Sequence, residues 1–109
     1  MKKVEEGKRL SIFVGENHRH KGMPLFEALI QQAREQGLAG ATIIKGVESF
    51  GRHHEIHTAR VLRLAEDMPM VIEIVDSREK IDAFLPCLDD MVEEGTVTIS
   101  DVKVIKYSP

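Results

Sequence analysis

The sequence has one cysteine, one tyrosine and no tryptophan among 109 residues. A single cysteine excludes an intramolecular disulfide framework. Four phenylalanines and one tyrosine leave few platforms on which single-stranded bases could stack. No apolar run approaches the roughly 18 residues that a membrane-spanning helix needs. A net charge of -3 exerts no global pull on nucleic acid. The opening MKKVEEGKRL is charged where a signal peptide is apolar, so a cytoplasmic protein is expected, without membrane insertion. What is present is 42% hydrophobic residues, too many for a disordered chain. The length suits one domain, residues 1–109, with a modest core.

Periodicity then orders the chain. Leu10, Ile12 and Val14 alternate with polar or opposite-facing positions, which predicts a strand over Lys8–Val14. The polar GENHRHKG (residues 15–22) reads as a loop, and Pro24 suits a first helical turn. Leu25, Phe26, Leu29, Ile30 and Ala33 form one helical stripe that Gly37 can close in a left-handed cap. Ala41–Val47 and Met70–Val75 read as strands, the latter central because it is apolar on both faces apart from Glu73. Asp76 with Glu79 resembles a capping box before a second helix that runs, through Pro86, to Glu94, with Gly95 ending it. Val97 and Ile99, then Val102 and Val104, alternate out of phase, which predicts two short strands or one bulged strand. The order β-α-β-β-α-β is that of an α+β, ferredoxin-like sandwich, an antiparallel sheet with two helices on one face. Apolar residues on both faces of the strands predict that a second subunit covers the open side.

One segment breaks the economy of this plan. Residues 46–69, GVESFGRHHEIHTARVLRLAEDMP, far exceed a usual hairpin connection. They carry His53, His54 and His57 together with Arg52, Arg60 and Arg63, and Ile56–Leu64 suits a short helix. Arginine and imidazole in one loop favour an anionic ligand, phosphate being the commonest; a solvated loop with incidental charge is the plainer alternative.

GLAGATII (residues 37–44), SFGR (49–52), Pro69, IEIVD (72–76) and DVKVIK (101–106) together resemble the PII signal-transduction proteins. PLFEAL, GLAGAT, FG, IH and DMPMVIEIVD are similar, more narrowly, to an uncharacterised bacterial PII-like group. The resemblance spans about residues 9–107 as a pattern. It implies a homotrimer binding an adenine nucleotide in clefts between subunits, with residues 46–69 as an effector arm. The arm would report to a regulated partner protein, in solution or at a membrane. Residue by residue, it implies that Thr42 lies near the adenine, Gly51 and Arg52 approach the phosphates, and Lys106 reaches the neighbouring nucleotide. A glycine lets backbone N–H groups close on phosphate oxygens, and arginine adds a charge-assisted fork. The sequence departs from the family in places. A second, lysine-rich phosphate loop is replaced by EEGTVTISD (93–101), Ser49 stands where the family turn has glycine, and the only tyrosine is Tyr107. A smaller or less charged adenylate fits the remaining groups better than ATP.

Two other functions stay open at this level. His53, His54 and His57 have H-x-x-x-H and H-x-x-H spacing, with His18 and His20 elsewhere, which suits a divalent-metal-binding protein. A small ferredoxin-fold enzyme is the other, although no nucleophile, base and orienting group can be assembled, so no catalytic residue is assigned. Glu16 reads as a loop anchor, Cys87 as an inert half-buried thiol, and Asp76 and Asp101 as turn or cap residues.

Overall fold

The computed structural model describes residues 1–46, 48–50, 56–58 and 68–109. Its main sheet has four strands: β1 (Lys2–Gly15), β4 (Thr42–Lys45), β7 (Pro69–Asp76) and β8 (Thr96–Tyr107), in the order β4-β7-β1-β8. Every neighbouring pair is antiparallel. Two small ribbons accompany it, β2 (Arg19–His20) with β3 (Met23–Pro24), and β5 (Glu48–Phe50) with β6 (Ile56–Thr58). The helices are α1 (Leu25–Glu35) and α2 (Arg78–Met91). This is the ferredoxin-like order expected from the sequence, with the Glu73-bearing strand internal.

The core lies between one sheet face and the helices. Leu10, Ile12, Met70, Ile72 and Ile74 point toward Leu29, Ile81, Phe84 and Leu88, all buried. Each fully buried side chain of this kind contributes about 1.5–3 kcal/mol. The α1 stripe is as read, with Leu25, Ala28, Leu29 and Ala33 buried and Phe26 and Ile30 packed at its margin. The helix ends in a Schellman cap: Gly37 has φ 76°, its N–H donates to Arg34 O, and Leu38 N–H donates to Ala33 O.

Four local expectations change. The cap of α2 is Ser77, whose Oγ accepts from Lys80 N at 3.3 Å. Asp76 instead accepts from Ser77 N and Ala39 N, both at 2.7 Å, and so pins the α1–β4 connection to the start of α2. The helix runs through Pro86 and stops at Met91, not Glu94. The last strand has no bulge. Its register with β1 is continuous from Lys2↔Tyr107 to Phe13↔Thr96. The phase change arises because Val97 and Ile99 share the helix side with Ile12 and Leu10, whereas Val102 and Val104 share the open side with Gly7 and Glu5. Finally, Ile56–Thr58 is extended and pairs with Glu48–Phe50, so the helical reading fails there; the remainder of Ile56–Leu64 lies outside the described residues.

β1 is also longer than expected. β7 pairs with it only from Lys8 onward, so Lys2–Gly7 and Val102–Tyr107 continue as a two-stranded ribbon beyond the body of the sheet. Gly7 marks the departure, since a Cβ there would lie 2.9 Å from Asp76 O.

Candidate functional site

The long connection leaves and re-enters the sheet at one end, and hydrogen bonds close its base. Gly46 N donates to Pro69 O and Glu16 N donates to Met68 O, both at 2.7 Å. A Cβ on Gly46 would meet Pro69 Cγ at 2.8 Å, so only glycine fits this approach without a shift. The Lys45 ammonium lies 3.0 Å from Glu16 Oε2, an ion pair that joins the last residue of β4 to the residue after β1. Glu16 is therefore the anchor the sequence suggested, here of the arm's base.

At the same end, GENHRHKG folds into a tight hairpin rather than an open loop. Lys21 and Gly22 both have positive φ, 49° and 83°, the pattern of a two-residue mirror-image turn. Arg19 Nη2 donates to Gly22 O at 2.8 Å, and Leu25 N donates to His18 O at 2.7 Å. Gly15 N–H donates to His18 Nδ1 at 3.4 Å. Beside this hairpin lies a depression of about 140 Å³ lined by His18, Arg19, Leu25, Met91, Glu93 and Glu94. Leu25 and Met91 are its apolar lining, and the other four residues bring both charge signs. Glu93 and Glu94 thus sit next to His18, which the sequence offers only to the metal reading, and Arg19, to which it gives no role; their shared place in the polar turn after β1 is the only signal.

Of the predicted ligand residues, Thr42 and Lys106 lie among the described ones, and they are far apart in one chain. Thr42 is exposed at the start of edge strand β4, on the open side, opposite Glu73. The row continues through Ser11 to Thr98, and Lys106 lies eight residues further along β8, in the projecting ribbon. With strands about 4.8 Å apart and about 3.3 Å of rise per residue, Thr42 and Lys106 are roughly 30 Å apart in one chain. Lys106 Nζ lies 3.0 Å from Glu5 Oε1. The Lys106 ammonium beside it is the main reason the Glu5 carboxyl titrates below its usual range. Gly51, Arg52, His53 and His54 lie outside the described residues, and of His57 only the strand position opposite Ser49 is described. Among the described residues no group of three or more His, Cys, Asp or Glu is placed to hold a metal ion. Cys87 is half-buried, and burial pushes its thiol up, away from the reactive thiolate. No described helix is long and apolar enough to cross a membrane.

Known proteins share this fold. The DUF190 family, described as "Uncharacterized ACR", matches residues 7–104. A UPF0166 protein of Aquifex aeolicus is 35% identical over 103 residues, covering 94% of this chain and 97% of its own. Among solved structures, CPII of Thiomonas intermedia K12, a nitrogen regulatory PII-like protein bound to ADP, AMP and bicarbonate, superposes with a TM-score of 0.68 at 20% identity, covering 94% of this chain and 91% of its own. A PII-like signaling protein of Thermus thermophilus superposes with a TM-score of 0.62 at 16% identity, with 94% and 91% covered. At these identities the structural likeness is one of fold, and the fold is PII-like.

Proposed function

The chain belongs to the DUF190 family, and on that premise we propose that it is a PII-like regulatory protein that binds an adenine nucleotide at the boundary between copies of itself. Thr42, Gly51 and Arg52 of one copy and Lys106 of the next hold the ligand, and residues 46–69 carry the signal to a partner protein. It is a binding module without chemistry of its own, assembled as a cytoplasmic homotrimer. The observation that carries this reading is the placement of Lys106. It lies in the ribbon at the opposite end of the sheet from the hydrogen bonds at Gly46 and Met68 that close the arm's base. That separation supports a ligand held between two chains rather than within one. The ligands of CPII, ADP and AMP, make adenylates the first compounds to try. Glu93 and Glu94 at the rim of the neighbouring depression favour a mono- or diphosphate over a triphosphate by like-charge repulsion.

Thermal-shift measurements on the full chain with AMP, ADP and ATP test the reading. A ligand of the native state raises its stability by RT ln(1 + [L]/Kd), so the midpoint should rise with AMP or ADP and less with ATP. Arg52→Ala should abolish the rise while leaving the ligand-free midpoint nearly unchanged. A shift that survives Arg52→Ala removes the phosphate role of that residue, and no shift with any adenylate removes the nucleotide reading. Zinc or copper in the same assay examines the metal alternative, where a shift abolished by His57→Ala would support it.

A further inference from the structure

The depression beside the β2–β3 hairpin is lined by helix ends and turns, and no residue of the main sheet takes part in it. That placement gives it two poles. Leu25 is the first residue of α1 and Met91 the last of α2, so a helix N-terminus and a helix C-terminus flank one space. The first carries partial positive charge on its unpaired N–H groups, the second partial negative charge on its unpaired carbonyls. Pro24 at the N-cap of α1 brings no side-chain hydrogen bond, and the last turn of α2 contains no basic residue. Formal charges follow the same order. Arg19 stands on the hairpin that leads into α1, and Glu93 and Glu94 stand on the turn that leaves α2. One guanidinium N–H of Arg19 donates to Gly22 O at 2.8 Å, which steadies a planar fork of the shape a carboxylate fits. Between the poles lie the buried side chains of Leu25 and Met91.

We propose that this depression binds a small zwitterion, an α-amino acid with a short aliphatic side chain. The ligand's carboxylate meets Arg19 and the N-terminus of α1. Its ammonium meets Glu93, Glu94 and the C-terminus of α2, and its side chain lies against Leu25 and Met91. A simple anion would face two carboxylates here, and a simple cation would face a guanidinium, so each half of the ligand alone meets repulsion as well as attraction. A molecule that carries both charges on one carbon satisfies both poles at once. Size points the same way. A volume of about 140 Å³ is well below the roughly 300–1,000 Å³ of pockets that take drug-sized ligands, which excludes a whole nucleotide and suits a free amino acid. The inference goes beyond the adenylate reading and does not rest on it.

Isothermal titration of the full chain with L-valine, in the absence of nucleotide, tests it. L-valine should bind. Isovalerate, which lacks its ammonium, and isobutylamine, which lacks its carboxylate, should each bind about tenfold more weakly or worse. Arg19→Gln, and Glu93→Gln combined with Glu94→Gln, should each weaken L-valine binding by a similar factor, with folding followed by circular dichroism. Should a variant fail to fold, the three ligands on the wild-type chain decide the matter alone. No binding of L-valine, isovalerate or isobutylamine binding as tightly as L-valine, or folded variants with wild-type affinity would each overturn the proposal. The nucleotide reading stands apart from this result, and ADP should bind Arg19→Gln as it binds the wild type. A chain that binds ADP but not L-valine loses this site and keeps the nucleotide reading; one that binds L-valine but no adenylate does the reverse.

Discussion

Any anion that Lys106 serves must compete with Glu5, whose carboxylate lies 3.0 Å from the lysine ammonium. On the proposed reading, a ligand has to draw the lysine away from this pairing. Glu5→Gln removes that competitor, so AMP or ADP should bind roughly two- to fivefold more tightly to the variant by isothermal titration. Unchanged or weaker binding would remove Lys106 from the site. Backbone approach is equally a matter of single residues. A Cβ on Gly95 would lie 2.7 Å from Phe13 O and 3.1 Å from a Val14 methyl, where the chain turns from α2 into β8. Gly95→Ala is expected to cost about 1–3 kcal/mol, read as a thermal midpoint lowered by the order of 5–15 °C. From the sequence, Gly95 is legible as a helix stop, but the strand pressing on it is not, because nothing local records a tertiary contact. Asp76 and Ser77 show the same limit. Either residue type can cap, and the choice fell to Ser77 because Ala39 N drew the Asp76 carboxylate elsewhere.

At the scale of elements, legibility follows burial. β7 and α1 were readable because their buried positions obey a single period against a single neighbour. β1 was read only from Lys8 because its first half lies in the ribbon, where no helix imposes an apolar face on Lys2–Gly7. β8 misleads for the reverse reason: none of its side chains is buried, and its apolar positions switch from the helix side at Val97 and Ile99 to the open side at Val102 and Val104. The ribbon and the sheet row from which it departs share an electrostatic signature. Lys8 pairs with Asp101 directly across β1 and β8; its hydrogen bond and its charge hold the Asp101 carboxyl below the usual range, as Lys106 does for Glu5. A carboxyl depressed in the folded state binds fewer protons than in the unfolded chain. Its stabilisation is therefore complete above the ordinary carboxylate pKa and disappears as pH falls through the lowered folded value. Thermal midpoints should be flat with respect to these two groups above about pH 5 and fall in acid. Asp101→Asn should lower the neutral-pH midpoint slightly and flatten the acid decline; an unaltered acid profile would show that the Lys8 pair carries no folding linkage.

For the molecule as a whole, the division of the candidate site is the decisive feature. The arm's base, the β2–β3 hairpin and the mixed-charge depression share one end of the sheet, and Lys106 occupies the other. The resemblance already assigns Lys106 to the neighbouring nucleotide, and the register of four strands, which sets Thr42 and Lys106 far apart in one chain, agrees with that division. What sequence could not convey was distance, since spacing along a chain says nothing of which ends of a folded sheet meet in a neighbour. The most direct measurement mixes two defective proteins. Arg52→Ala and Lys106→Ala are prepared separately, each expected to lose adenylate binding, then unfolded, combined and refolded together before titration with ADP. Shared clefts require binding to return at about one cleft in four, the random-mixing share for a cyclic assembly in which intact Arg52 and intact Lys106 come from different chains. Refolded mixed oligomers that bind no more ADP than either parent would contradict a site built between copies.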